Sequence, residues 1–314
     1  HIIDSSRAGM LAEVRALPFG TYKNAMRIDG YEKEIDLVCE MTISESGIDL
    51  NFSGTSPASS FGINVPVTYT EAYATFGIRC VIGNRVPNNA GSLEPVRISA
   101  PVGCILNAPR PAAVTARHVI GQMLPDVVLG CLNQIIPDRV PAEGTSCLWN
   151  PVLLGGHGLS EHDYGDATPF AMNTFHSGGT GARPAKDGLN ATAFPSGVRN
   201  TPIEINETIA PLIFWKKEYR TDSGGAGTHR GGVGQVMEIS HAEDAPFAIN
   251  TMFDRVIYPP RGRNGGGDGM TGRLYLSDGT VMKGKGRQSI PAGTRLAIEM
   301  PGGGGLGDPK GRDK

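Results

Sequence analysis

Ile35-Asp36-Leu37-Val38-Cys39-Glu40-Met41-Thr42-Ile43-Ser44, a turn at Ser46-Gly47, and then Ile48-Asp49-Leu50-Asn51-Phe52 decide the fold class. Ile35, Leu37, Cys39, Met41 and Ile43 recur at every second position, and Ile48, Leu50 and Phe52 resume the alternation after the turn. A period of two places these side chains on one face of extended backbone, so the stretch from Tyr31 to Phe52 predicts a β-hairpin with one buried face. Ser53-Gly54-Thr55-Ser56-Pro57 reads as the loop that follows.

On the amino-terminal side the period changes. Ile3, Arg7, Met10, Leu11, Val14 and Leu17 have helical spacing, and Pro18 ends the pattern. The chain starts at His1 without an initiator Met or a signal-peptide pattern, and we read it as a processed or truncated piece. On the carboxy-terminal side two helices are predicted. The first covers about Pro66 to Ile82, with Tyr69, Ala72, Tyr73, Phe76 and Cys80 as its apolar stripe. The second covers about Ala113 to Ile136, kinked or divided at Pro125. Between them Asn88-Asn89-Ala90-Gly91 reads as a turn and Val96–Ala100 as a short strand.

Beyond Pro141 short β-type runs alternate with Gly and Pro, and no helical pattern is expected after Ile136. Expected strands are Phe170–Phe175, Ile209–Tyr219, Gln235–Ser240, Ala248–Phe253, Arg273–Leu276, Thr280–Lys283 and Arg295–Glu299. Asp278-Gly279 is the strongest hairpin signal. The reading is therefore α+β: an amino-terminal hairpin and two-helix segment over residues 1–140, then a Gly-rich, mostly antiparallel β region over residues 141–314.

Composition narrows the function classes. The formal charge is −2 and no basic block stands out, which argues against nucleic acid as a partner. No apolar run is long enough to span a bilayer as a helix. Five widely spaced cysteines without a Cys-x-x-Cys pair fit reduced thiols in a cytoplasmic protein. Forty-four glycines gather in clusters at Gly178–Gly181, Gly224–Gly227, Gly231–Gly234, Gly265–Gly267 and Gly302–Gly305. Such clusters form either turns and bulges between strands or backbone N–H groups that line a pocket.

A P-loop is absent, and the Gly-x-Gly-x-x-Gly at Gly302, Gly304 and Gly307 opens no helix, so it is no dinucleotide fingerprint. Asp222-Ser223-Gly224-Gly225 looks like a serine nucleophile loop, but no matched base is evident. His157, His162, Asp163 and Asp166 have ligand chemistry within a Gly-rich loop, where solvated side chains are the simpler reading. The constellation from Phe175 to Glu207 is richer. His176, Arg183, Arg199, Asn200 and Glu204 combine with flexible backbone, which suits either a polar small-molecule pocket or a salt-bridge network between strands.

Several of these stretches resemble the hydantoinase B/oxoprolinase family. Leu17-Pro18-Phe19-Gly20-Thr21-Tyr22 is similar to the family's LPDGTY segment. Phe52 to Pro57, Pro87 to Gly91, Pro137 to Ala142, Gly178 to Pro184, Arg199 to Glu204, Arg220 to Gly227 and Pro301 to Gly305 resemble further segments of the family, in their order along the chain. The resemblance implies part of a B-type subunit of an ATP-dependent enzyme that opens a cyclic amide such as hydantoin, N-methylhydantoin, 5-oxoproline or a lactam. It implies an A-type partner subunit that binds ATP and Mg, and hence a hetero-oligomer. It also implies a divalent metal held by His and Asp in the amino-terminal half of the subunit. No counterpart of that segment occurs in His1–Lys314, so no metal ligand and no catalytic base is transferred, and this chain by itself is expected to bind no cofactor and to be inactive. Two alternatives stay open: an ATP-dependent ketone carboxylase subunit of the acetone or acetophenone type, and a non-catalytic scaffold piece of such a complex.

Overall fold

A computed structural model describes residues 1–156 and 167–312. Two compact units emerge, His1–Pro141 and Ala142–Lys314.

The first unit is a sheet with helices packed on it. Its elements are α1 (Ile2–Arg15), β1 (Gly20–Ile28), β2 (Ile35–Ser44), β3 (Gly47–Asn51), α2 (Val67–Arg79), α3 (Ala90–Leu93), β4 (Val96–Ser99), α4 (His118–Gly121) and α5 (Leu124–Leu132). The sheet order is β1-β2-β3-β4, antiparallel except for the β3–β4 pair. The predicted hairpin is β2–β3, and β2 alternates strictly between buried and half-buried positions. Leu37, Cys39 and Met41 are fully enclosed. Leu37 and Met41 each contribute about 1.5–3 kcal/mol relative to exposure. α5 lies against β1 and β2, and the Asn24 amide donates to the Val127 carbonyl at 2.8 Å. Pro125 divides the second predicted helix as expected, since it stands in the first turn of α5, where its lost N–H needs no partner. The stretch at Asn89 is a helix start rather than a simple turn. Asn89 and Ser92 form a reciprocal capping box over α3.

The second unit contains β5 (Val152–Gly155), β6 (Phe170–Asn173), α6 (Ile203–Ile209), β7 (Leu212–Tyr219), β8 (Gln235–His241), β9 (Phe247–Met252), β10 (Arg273–Leu276), β11 (Val281–Met282), β12 (Lys285–Ile290) and β13 (Leu296–Glu299). Two antiparallel sheets result, β11-β10-β13-β8-β7 and β12-β9-β5-β6. The Asp278-Gly279 turn joins β10 to β11 as read from the sequence. Gly279 takes φ +90°, and Asp278 Oδ1 accepts the Thr280 amide at 2.9 Å. The helix α6 departs from expectation. Its seven residues fill a stretch with no sustained apolar period, and Glu207 ties it to β7 by accepting the Phe214 amide. Among the core side chains, Trp149 stacks on Phe253 with centroids 4.1 Å apart and planes within 3°. Its indole N–H donates to the Asp254 carbonyl.

The glycine clusters are for the most part neither hairpin turns nor open nests. They run as extended segments packed backbone to backbone. The Gly225 amide donates to Gly303, Gly303 to Gly232, Gly232 to Thr180, Gly305 to Gly267, and Gly267 to Ala226. A methyl group on Gly179 would collide with the Gly232 carbonyl, and one on Gly303 with the Thr180 carbonyl. Glycine is required here because main chains approach too closely for any Cβ, the same steric logic that puts Gly at the axis of collagen. These five amides are used within the lattice and are not offered to a phosphate.

Candidate functional site

The site is best built outward from His176. Residues 149 and 176 form an isolated antiparallel bridge, with reciprocal amide–carbonyl bonds of 3.1 and 2.8 Å. That pairing carries the His176 ring into the interior, where it is only 2% exposed. Its Nε2 lies 2.8 Å from Thr174 Oγ1, and its Nδ1 has no hydrogen-bond partner among the described residues. Burial, aided by the Lys217 charge, lowers its pKa to about 3, so the imidazole is neutral at physiological pH.

Lys217 comes from β7 and carries no signal in the sequence pattern. A β-bulge between Phe214 and Lys216 shifts the register, pairing Phe214 with Ile239 and Lys217 with Met237. Ile239 and Met237 lie on the same buried face of β8. The bulge therefore turns Lys217 inward, where unbroken alternation from Phe214 would have turned it out. Its ammonium donates to the Thr201 carbonyl at 2.9 Å. Burial lowers its pKa, and the charge of Glu204 opposes that shift. Glu204 is exposed in the first turn of α6.

The five residues expected from sequence thus divide. His176 and Glu204 are linked electrostatically through Lys217. Arg199 and Asn200 are exposed in the irregular stretch before α6. Arg183 belongs to a different knot. Its Nε and Nη2 donate to the Asp187 carbonyl at 3.0 and 2.8 Å. The Asp187 carboxylate is gripped bidentately by Arg312 and accepts the Arg230 amide. The Arg312 hydrogen bonds, with that amide, hold Asp187 down at about 2.

Other sequence candidates resolve plainly. Ser223 is fully buried, donates its hydroxyl to the Arg220 carbonyl and accepts the Gly234 amide, which is a structural clamp and no nucleophile. Next to His176 in sequence, Ser177 helps to line a cavity of about 10 Å³ with Thr145, Ser146, Cys147, Thr192 and Ser196. That is room for roughly one water. Burial pushes the Cys147 thiol up to about 12, so it is no thiolate nucleophile. The candidate ligands His157, His162, Asp163 and Asp166 lie outside the described residues. Among the described residues no three His, Cys, Asp or Glu side chains converge as a metal site. No helix among them is long and apolar enough to cross a membrane.

Chemically, the arrangement offers a buried neutral imidazole, a half-buried ammonium and a carboxylate at the surface. It can hold and polarise a neutral polar group, because an ammonium in low dielectric acts strongly on a nearby oxygen.

Known proteins share both the sequence and the fold. The chain is similar to 5-oxoprolinase 1 of Arabidopsis thaliana, 32% identical over 89% of this chain and 21% of that protein. It is similar to a Pseudomonas protein named as the B component of a D-/L-hydantoinase, 29% identical over the whole chain and 55% of that protein. The chain therefore spans about a fifth to a half of these relatives. Its fold is that of the ATP-dependent caprolactamase from Pseudomonas jessenii, with a TM-score of 0.84, 23% identity and coverage of 99% of this chain and 55% of that one. A nucleotide-free acetone carboxylase shares the fold at a TM-score of 0.77 and 19% identity, over 98% of this chain and 48% of that one. The hydantoinase B/oxoprolinase sequence pattern matches residues 1–309, and the chain belongs to that family.

Proposed function

We propose that this chain is part of the B-type subunit of an ATP-dependent cyclic-amide hydrolase, opening a hydantoin, N-methylhydantoin, 5-oxoproline or lactam ring with an A-type partner in a cytoplasmic hetero-oligomer. The observation that carries this reading is that relatives named as a 5-oxoprolinase and as a hydantoinase component align along 89% and all of the chain. ATP with Mg, held by the partner, would supply the activation that makes an amide carbonyl a good electrophile. The divalent metal is assigned to polypeptide outside His1–Lys314.

This chain's own residues bind and orient. Lys217 places a fixed positive charge where negative charge grows on the amide oxygen. His176 Nδ1, a buried ring nitrogen, is left to hydrogen-bond a polar group of the substrate. The Glu204 charge opposes the lowering of the Lys217 pKa by burial.

The test replaces Lys217 by Met and His176 by Asn in the complete enzyme complex. Turnover should fall at least about tenfold for Lys217→Met, the loss of about 1.4 kcal/mol of transition-state stabilisation, with assembly unchanged. Full turnover in both variants would make the constellation structural and favour a scaffold role. The acetone carboxylase fold supports one second reading, a subunit of an ATP-dependent ketone carboxylase.

A further inference from the structure

The contact between His176 and Thr174 decides which ring nitrogen carries the proton. Both side chains are buried. They stand two residues apart on extended backbone, so they leave it on the same face. Main-chain bonds hold the segment at both positions. The Thr174 amide donates to the Pro151 carbonyl at 3.2 Å, and the His176 amide to the Trp149 carbonyl at 2.8 Å. A branched Cβ restricts the threonine hydroxyl to few rotamers. That hydroxyl is therefore a fixed neighbour of the ring, 2.8 Å from Nε2.

A neutral imidazole has one N–H and one lone pair on its two nitrogens. The ring is neutral because burial and the Lys217 charge both disfavour the imidazolium. Two arrangements remain. In the first, Nε2–H donates to Thr174 Oγ1. The threonine hydroxyl proton is then left without an acceptor, because no other hydrogen bond reaches Oγ1 among the described residues. The Nδ1 lone pair is unpaired as well. In the second, the Thr174 hydroxyl donates to the Nε2 lone pair, and only the Nδ1 N–H is left over. Every buried polar group without a partner is destabilising, so one orphaned group is preferred to two. His241 of the same unit shows the opposite assignment. Its Nδ1 accepts the Glu243 amide at 3.1 Å, which places its own proton on Nε2.

We infer that Thr174 is a positioning residue that donates its hydroxyl proton to His176 Nε2 and so makes Nδ1 a hydrogen-bond donor for a carbonyl oxygen or the oxyanion that develops from it. In this tautomer Nδ1 has no lone pair with which to take a proton, so His176 polarises and does not act as a general base there. Both inward groups, His176 and Lys217, are then donors. They match the oxygen of an amide carbonyl rather than its N–H. This role toward a substrate rests on the cyclic-amide reading; the tautomer does not.

The experiment is long-range nitrogen–proton correlation NMR on the full chain, isotope-labelled at its histidine rings, at neutral pH. The two ring nitrogens are told apart because Nε2 couples to both carbon-bound ring protons and Nδ1 strongly to one. Signals lost in His176→Asn identify the ring. The expected spectrum has the His176 proton on Nδ1 and the His241 proton on Nε2. In Thr174→Val the His176 proton should move to Nε2, and turnover by the complete complex should fall at least about tenfold, as for other wrong-tautomer variants. Thr174→Ser keeps a hydroxyl and should restore both. Wild-type His176 protonated on Nε2 overturns the inference, whether or not the variants fold. A folded Thr174→Val chain that keeps its proton on Nδ1 overturns it too, as does a folded Thr174→Ser chain that does not. A complex that turns over no cyclic amide while His176 carries its proton on Nδ1 would overturn the cyclic-amide reading and uphold the tautomer.

Discussion

His176 Nε2 lies 2.8 Å from Thr174 Oγ1, and the two side chains rise two residues apart from one extended segment that pairs with the Trp149 region. The pairing is buried, and the other ring nitrogen has no partner among the described residues. The ring is neutral in the fold, with a pKa of about 3 against an ordinary value of 6.5.

The first prediction follows from that difference. Between pH 6.5 and about 3 the unfolded chain binds a proton at His176 that the folded chain does not. Stability from this residue is therefore present above pH 6.5 and is lost as pH falls, at up to about 1.4 kcal/mol per pH unit. Urea unfolding of wild type and His176→Asn across the acid range measures it. The variant should show the shallower pH dependence, and equal slopes would contradict a buried neutral ring.

Asp187 behaves in the same direction at lower pH. Its carboxyl is held at about 2, below an ordinary 3.8, chiefly by Arg312. The pair contributes above pH 3.8 and is lost as pH falls through about 2. Because both side chains are part-exposed, Asp187→Asn should cost only about 1 kcal/mol at neutral pH. The difference from wild type should vanish near pH 2, as thermal unfolding would show.

The glycine lattice predicts a contrast between two like substitutions. Gly179→Ala must displace the Gly232 backbone and should cost more than about 3 kcal/mol or abolish soluble expression. Gly293 has φ +66° but open space around it, so Gly293→Ala should cost only about 1 kcal/mol. Chemical unfolding of the two variants compares them directly. Similar small costs would mean that the segments are not packed main chain to main chain.

Ser223 should be inert to a fluorophosphonate probe, since its hydroxyl is fully enclosed and bonded to Arg220 and Gly234. Ser223→Ala should instead lower stability by about 1–3 kcal/mol, because the Gly234 amide loses its acceptor. Labelling of Ser223, read by mass spectrometry, would revive it as a nucleophile.

What is legible in the sequence follows physical range. The alternation of Ile35 to Ile43 and the Asp278-Gly279 turn are local signals, and both elements form where the pattern places them. The α+β class with a mostly antiparallel, Gly-rich second part follows from those signals. The glycine clusters are visible, but their purpose is not, because close packing of distant main chains leaves no periodic trace. Lys217 is hidden because a single bulged residue reverses which face it occupies, and only the β8 partner reveals the shift. Arg183 groups with His176 by nearness in sequence, yet its donors close a local loop on Asp187. α6 is not expected because Pro202 starts it and Glu207 ties it to β7, without an apolar stripe.

The most direct test of the central claim is turnover by the complete complex, this subunit together with an A-type partner. It is assayed with ATP against hydantoin, 5-oxoproline and caprolactam, and separately against acetone plus bicarbonate. The expected result is ATP-dependent ring opening of at least one cyclic amide by the complex and none by the 314-residue chain alone. Ketone carboxylation without ring opening, or ATP turnover by the isolated chain, would contradict it.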